Sequence, residues 1–307
     1  MIKEPTVFVL GAGASKPYGF PLAVELTSLI CSWIISGSPD QELQALSNVS
    51  LSEAREMARR LHPSQVSIDL WLAQNKDFLT IGRYCISRFI AKQEEESTLF
   101  WNEWYAPLFR KLLPDELPAS PEELCKNSVT FVTFNYDRSL EQALLRKTQA
   151  MFGVKEDEAA AIISTIPIIH VHGQIGPLPW QKPQGSLKEL RVRPYQTQFK
   201  PEDILYSMGI KIVSETSRTT PEYDVAQKAM LNAKHIYFLG FGYDPQNLMR
   251  LKFGADPGGR IIQGTHHELP EMRKAALWAS GVEFGMRIHF DGPSSGIMSY
   301  FRNMIGS

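Results

Sequence analysis

The chain has 307 residues, with 32 Lys+Arg against 33 Asp+Glu and a formal net charge of −1. A hydrophobic fraction of 43% and a charged fraction of 21% are those of a folded globular protein and exclude global disorder. The length allows one large domain or two of about 150 residues, and the near-zero charge disfavours a protein whose main task is gripping nucleic-acid phosphates. Cys31, Cys85 and Cys125 are too few and too scattered for a disulfide framework or a cysteine-based zinc site, and fit reduced thiols. No apolar run approaches the ~18 residues of a membrane helix. Glu4, Pro5, Gly11 and Gly13 spoil a signal peptide. A cytoplasmic location is expected.

Thr6 to Leu10 is an apolar, β-branched run stopped by glycines, and reads as a strand buried on both faces. Gly11 to Ser15 follows, and the spacing is helical over 22–35. Residues 38–126 read as helical throughout. Ser50-Leu-Ser-Glu53 is a capping box, and helices are expected over 51–61, from 67, over 79–90 and over 100–113. Pro114, Pro118 and Pro121 end that pattern. Trp71, Trp101 and Trp104 fall at helical spacings and are expected in the core. Strands return at 129–134, 166–171, 235–239, 260–262 and 286–290, with helices over 139–151, 221–233 and 271–280. The proline-rich stretch 174–201 reads as an extended loop or lid, and His266 and His267 as loop residues. Strands separated by helices predict an α/β fold, a Rossmann-like doubly wound, mainly parallel sheet. Residues 1–37 and 127–307 would build this core, and 38–126 a helical insertion subdomain after the first βα unit.

Four strand ends carry residues suited to a site: Gly11-Ala12-Gly13-Ala14-Ser15, Thr133-Phe-Asn135-Tyr-Asp137, His170-Val-His172-Gly173 and Gly240-Phe241-Gly242-Tyr243-Asp244. In an open α/β sheet ligands bind outside the carboxyl ends of the strands, so these segments should converge on one crevice. Gly11 and Gly13 sit where a backbone turns tightly and approaches a phosphate, with the next helix N-terminus pointing at it. Lys16 stands where the dinucleotide fingerprint has its third glycine, and no acidic residue ends a second strand ~20 residues on, which disfavours an ordinary dehydrogenase. No Gly-Lys-Ser/Thr follows, so the P-loop pattern also fails.

Asn135 is a neutral donor and acceptor that could hold a ribose hydroxyl, an amide or a water. Asp137 could fix the loop or bind a ribose, and both could equally form an Asx-type turn capping the next helix. His170 and His172 face the same side of a strand. A metal pair would need a third ligand, and none is placed beside them. His170 reads as structural. His172, at the accessible strand tip, suits a general base with a pKa near neutrality.

In this order, the G-A-G-x-S opening, T-x-N-x-D, H-G and the late glycine-rich strand end resemble those of sirtuin-like domains. Ser67-Ile-Asp69, Phe134-Asn-Tyr-Asp137 and Phe238 to Asp244 with Asn247 look more like the bacterial sirtuin-like NAD hydrolases of anti-phage defence than like protein deacylases. The resemblance runs from about residue 6 to residue 265. The four-cysteine zinc module of deacylases is missing, so no zinc is expected, and Gly19 to Val24 lacks the family arginine. The resemblance implies NAD as substrate across the carboxyl edge of the sheet. Gly11 to Ser15 would cradle the pyrophosphate, and Asn135 would position the nicotinamide ribose or the attacking water with Asp137 in support. His172 would act as base, while Gly240, Phe241, Gly242 and Tyr243 would line the adenosine side. The implied activity is NAD hydrolysis to nicotinamide and ADP-ribose. Its gate would be a homo-oligomer or a separate sensor subunit: an ATPase, an Argonaute-type protein or a nucleotide-binding protein. No membrane and no direct nucleic-acid binding are expected. The alternatives are an NAD-dependent deacylase or ADP-ribosyltransferase, and a non-catalytic module that senses NAD or ADP-ribose.

Overall fold

The computed structural model describes residues 1–37, 43, 50–101, 103–181, 190–212, 220–253, 259–266, 269–287 and 297. The first strand, β1 (Thr6–Leu10), carries the period of two that a sheet covered on both faces requires. Phe8 and Leu10 enter one apolar cluster, and Val7 and Val9 enter another. Phe8 stacks on Phe131 and on Tyr237, with ring centroids 5.3 Å away in each case. Burying such a ring contributes about 1.5–3 kcal/mol.

A short helix α1 (Ala12–Ser15) follows, then α2 (Ala23–Ser36). The segment beyond it supplies α3 (Leu51–Leu61), α4 (Ile68–Gln74), α5 (Leu79–Ala91) and α6 (Tyr105–Leu112). Ser50 caps α3 by accepting from the Glu53 N–H, and Ser67 caps α4 by accepting from the Leu70 N–H. These helices share one apolar cluster with the sheet: Ile30, Leu61, Ile68, Tyr84 and Leu108 pack in the same body as Phe8 and Phe131. Trp104 is fully buried and Trp71 nearly so, but Trp101 is 51% exposed, so the helical spacing misplaces that one ring. Its neighbourhood is a 3-10 turn, and α6 starts only at Tyr105.

The core resumes with β2 (Val129–Thr133), α7 (Ser139–Phe152), α8 (Glu156–Ile163) and β3 (Ile168–His170). It closes with α9 (Pro221–Asn232), β4 (His235–Leu239), α10 (Pro245–Arg250), β5 (Ile261–His266), α11 (Glu271–Ala279) and β6 (Glu283–Arg287). The strand order is β3-β2-β1-β4-β5-β6, and every neighbouring pair is parallel. This is the Rossmann-like doubly wound order, with its reversal between β1 and β4. The expected fold class is therefore observed. Among the strands, two bounds differ by three residues or more. β5 runs on to His266, which is a strand residue and not a loop residue, and β6 begins at Glu283, before the expected 286. His267, residues 288–290 and residues 182–189 of the expected lid lie outside the described residues. Among the described residues no single helix is long and apolar enough to cross a membrane.

Candidate active site

The glycines after β1 meet the glycines after β4. Gly11 is extended, and its N–H donates to the Leu239 carbonyl at 3.0 Å; the Gly13 N–H donates to the Gly240 carbonyl, also at 3.0 Å. A Cβ on Gly11 would lie 2.5 Å from the Gly240 oxygen, and one on Gly13 would lie 2.8 Å from the Gly240 Cα. These positions are therefore glycine because two strand ends touch across the switch point, and the expected tight turn is closed by the Ala14 N–H, which donates to the Gly11 carbonyl at 2.9 Å. Gly240 itself has φ +57, where only glycine is unstrained.

That contact floors a cleft of about 580 Å³ at the carboxyl edge of the sheet. Gly11, Ala12, Gly13, Asn135, His172, Gly240, Phe241 and Gly242 all line it. It opens where the strand order reverses, the place at which doubly wound sheets bind ligands. Ser15 and Asp137 line a smaller pocket of about 90 Å³, which shares Ala12, Asn135 and Phe134 with the cleft. Ala14 and Tyr243 line neither. Ala14 is buried with its carbonyl accepting from the Trp104 indole at 2.7 Å, and Tyr243 is buried with its hydroxyl donating to the Thr265 carbonyl at 2.9 Å. Both hold the loops from behind.

Asn135 is oriented by what surrounds it. Its Nδ2 donates to the Gly11 carbonyl and to the Ser15 hydroxyl, each at 2.9 Å. A carbonyl can only accept, so the amide nitrogen must face it, and Oδ1 remains as an acceptor for a substrate. Ser15 in turn bonds Asp137, whose Oδ1 also accepts the Ser139 N–H at 3.1 Å and the Ser139 hydroxyl. The Ser139 hydroxyl pairs with that of Tyr105 at 2.6 Å. Asp137 thus forms an Asx turn leading into α7 and braces Asn135 through Ser15. Burial raises its carboxyl above the usual range, and the serine hydrogen bonds pull it part of the way back.

The two histidines divide their work. His170 Nδ1 lies 2.9 Å from the Asn135 carbonyl oxygen, and its Nε2 lies 2.6 Å from a Glu141 carboxylate oxygen. Burial alone would lower its pKa, but the charge and hydrogen bond of Glu141 raise it on balance. His170 therefore fixes the backbone of Asn135. His172 is 6% exposed on the cleft wall, with Nε2 3.2 Å from the Tyr223 hydroxyl and its ring edge-on to Phe134. Burial, and then the charge of Arg250, push its pKa down to about 3 instead of the near-neutral value expected at a strand tip. Since Nε2 faces Tyr223, Nδ1 is the ring nitrogen left for a substrate.

Two further cleft residues carry no signal in an isolated reading of their segments. Asn247, on α10, lines the cleft with a buried Oδ1 that has no hydrogen-bond partner among the described residues. Asp69, from α4, lines both the cleft and the small pocket and accepts from the Tyr136 hydroxyl. Both lie in words that carry the family resemblance, which is the signal that could have found them. Among the described residues no group of three or more His, Cys, Asp or Glu could hold a metal.

A family model for a SIR2-like domain matches residues 129–254. The match supports a sirtuin-like family. SIR2-like domains bind NAD and are NAD-dependent enzymes. The SIR2-like match spans Asn135, Asp137, His172 and the strand end from Gly240 to Tyr243, whereas Gly11 to Ser15 and Asp69 lie before it. No curated protein matches the chain.

Proposed function

We propose that this chain is an NAD glycohydrolase that yields nicotinamide and ADP-ribose, and that it serves as the NAD-depleting effector of a bacterial anti-phage system. One observation carries the catalytic reading: an acceptor oxygen, Asn135 Oδ1, and an uncharged imidazole, His172, stand on the wall of one cleft at the switch point of the sheet. The orphaned Asn247 Oδ1 on the same wall fits a hydroxyl or amine donor of a nucleotide.

The chemistry follows from the charges. The bond from ribose C1′ to the pyridinium nitrogen breaks, its electron pair passes to that nitrogen, and nicotinamide leaves neutral. No acid has to protonate it, and the ribose acquires oxocarbenium character like that of sugar hydrolysis. Asn135 Oδ1 presents negative dipole to that charge or to the attacking water. His172 accepts the water proton as the new C1′–O bond forms. An imidazole with a pKa of about 3 is a weak base, so it orients the water until the water becomes acidic by bonding to C1′. Placement and electrostatics supply most of the barrier reduction. Such an activity would drain its host if unregulated, so it is gated by self-assembly or by a separate sensor subunit.

The test is product analysis with NAD+ in the presence and absence of an acetyl-lysine peptide. Nicotinamide and ADP-ribose should form at equal rates in both. Formation of O-acetyl-ADP-ribose, dependent on the peptide, would assign a deacylase instead.

A further inference from the structure

Asp69 stands apart among the carboxylates of the described residues. It lines both the cleft and the 90 Å³ pocket that opens beside Asn135. It comes from the helical segment between α2 and β2, so the insertion reaches into the cleft built by the sheet. Its position is fixed on three sides. Ser67 caps the helix start, the Ile68 N–H donates to Thr27 Oγ1 of α2 at 2.8 Å, and the Tyr136 hydroxyl donates to the carboxylate itself. Its hydrogen-bond donors, the Tyr136 hydroxyl and its own backbone N–H, are both neutral. Among the described residues no Lys, Arg or His forms an ion pair with it. Burial raises its pKa, with the Tyr136 hydrogen bond opposing, as expected for a carboxylate whose charge has no counterion.

The rest of the small pocket suits a flat ring. Phe20, Leu26, Ile90 and Phe134 give it apolar walls. Among the described residues its lining includes two carboxylates, Asp69 and Asp137, and no Lys, Arg or His. A pocket with apolar walls, two carboxylates and no cation is complementary to an aromatic cation that brings the missing charge with it.

We propose that Asp69 is the specificity-determining residue that makes this site prefer the cationic, oxidised nicotinamide ring over its neutral, reduced form. This rests on the reading of the cleft as an NAD site. Oxidised NAD carries a positive pyridinium ring, and reduced NAD carries an uncharged dihydropyridine of nearly the same shape. Shape alone therefore separates them poorly, and a fixed carboxylate without a counterion separates them by charge. The same preference keeps out the reduced pool, whose neutral dihydronicotinamide ring lacks the positive charge that lets nicotinamide leave with the bonding electron pair.

The experiment is calorimetric titration of the full chain, wild type and Asp69→Asn, with three probes: a carbocyclic NAD+ analogue that cannot be cleaved, NADH, and ADP-ribose. The wild type should bind the cationic analogue more tightly than NADH. Asp69→Asn should lose about tenfold on the analogue while NADH and ADP-ribose stay within about twofold, so that the preference collapses. ADP-ribose binding also reports that the variant is folded, and Asp69→Ser repeats the test at a smaller side chain. Equal wild-type affinity for the analogue and NADH overturns the proposal without any variant. So does a substitution that weakens both equally, the pattern of a purely structural role. Failure of the wild type to bind even ADP-ribose overturns the NAD reading itself, which the other outcomes leave standing.

Discussion

The backbone N–H of Gly13 donates to the Gly240 carbonyl at 3.0 Å, joining residues that are 227 positions apart in sequence (240 − 13) at the point where the sheet reverses its order. The floor of the cleft is this contact. A Cβ on Gly240 would lie 2.1 Å from the Ala14 nitrogen, and the residue already sits at φ +57. Gly240→Ala should therefore destabilise the fold by about 1–3 kcal/mol, read as a lower melting temperature. Gly242→Ala has open space around it and should melt within about 0.5 kcal/mol of the wild type.

Asn135 ties the site to the same floor. Asn135→Asp preserves the shape but sets a carboxylate oxygen against the Gly11 carbonyl, which lies 2.9 Å from Nδ2. The variant should lose roughly 100-fold or more in turnover, and about 1–3 kcal/mol of stability from the unpaired groups. Ser15→Ala removes the second partner of Nδ2 and one hydrogen bond to Asp137 but sets no carboxylate against a carbonyl, and should be milder in both assays. Steady-state kinetics and thermal melts on the same preparations check the order.

His172 predicts an unusual pH profile. Its pKa is pushed down to about 3 by burial and then by Arg250, so the rate should show no acid limb near 6.5. Arg250→Ala removes the smaller of the two causes and should move the His172 titration upward, though not to 6.5, as read by NMR of the imidazole. The same shift is linked to stability. The unfolded chain takes up a proton below about 6.5 and the folded chain only near 3. His172 thus contributes stability that is fully present above 6.5 and is lost as the pH falls from 6.5 toward 3.

Glu94 holds the lower end of the expected lid. Its carboxylate takes two bonds from Arg138, at 2.8 and 2.6 Å, and one from Arg193, and all three side chains are buried. Arg193 also donates to the Gln196 and Gln198 carbonyls at 2.8 and 2.7 Å. Glu94→Gln leaves two buried guanidinium groups short of a counterion and should cost about 3–5 kcal/mol. Hydrogen exchange should rise first around residues 193–198.

Much of the sheet was legible in the sequence. β1 and β4 match their expected bounds because each is a run of β-branched and aromatic residues, buried on both faces and stopped by glycine. β5 was cut short because Gly264, Thr265 and His266 resemble loop residues. In place, Thr265 Oγ1 accepts the Gly240 N–H at 2.9 Å, and Gly264 makes room for the Tyr243 ring. α8 was missed because Ala159-Ala-Ala-Ile-Ile163 has no clear polar face. The convergence of Gly11, Asn135, His172 and Gly240 followed from the rule that strand ends meet. The low basicity of His172 did not, because Tyr223 and Arg250 reach it from distant elements. The role of Asp69 was hidden for the same reason, since no local pattern tells which way α4 faces.

The central claim is that this cleft breaks the nicotinamide–ribose bond using Asn135 and His172. The direct measurement is chromatography of nucleotides after incubating the full chain with NAD+, alone and with the proteins encoded beside it, with Asn135→Ala and His172→Ala in parallel. Nicotinamide and ADP-ribose should appear together in at least one of these conditions and vanish in both variants. NAD+ that binds tightly yet stays intact in every condition would contradict the account and make the cleft a sensor of the nucleotide.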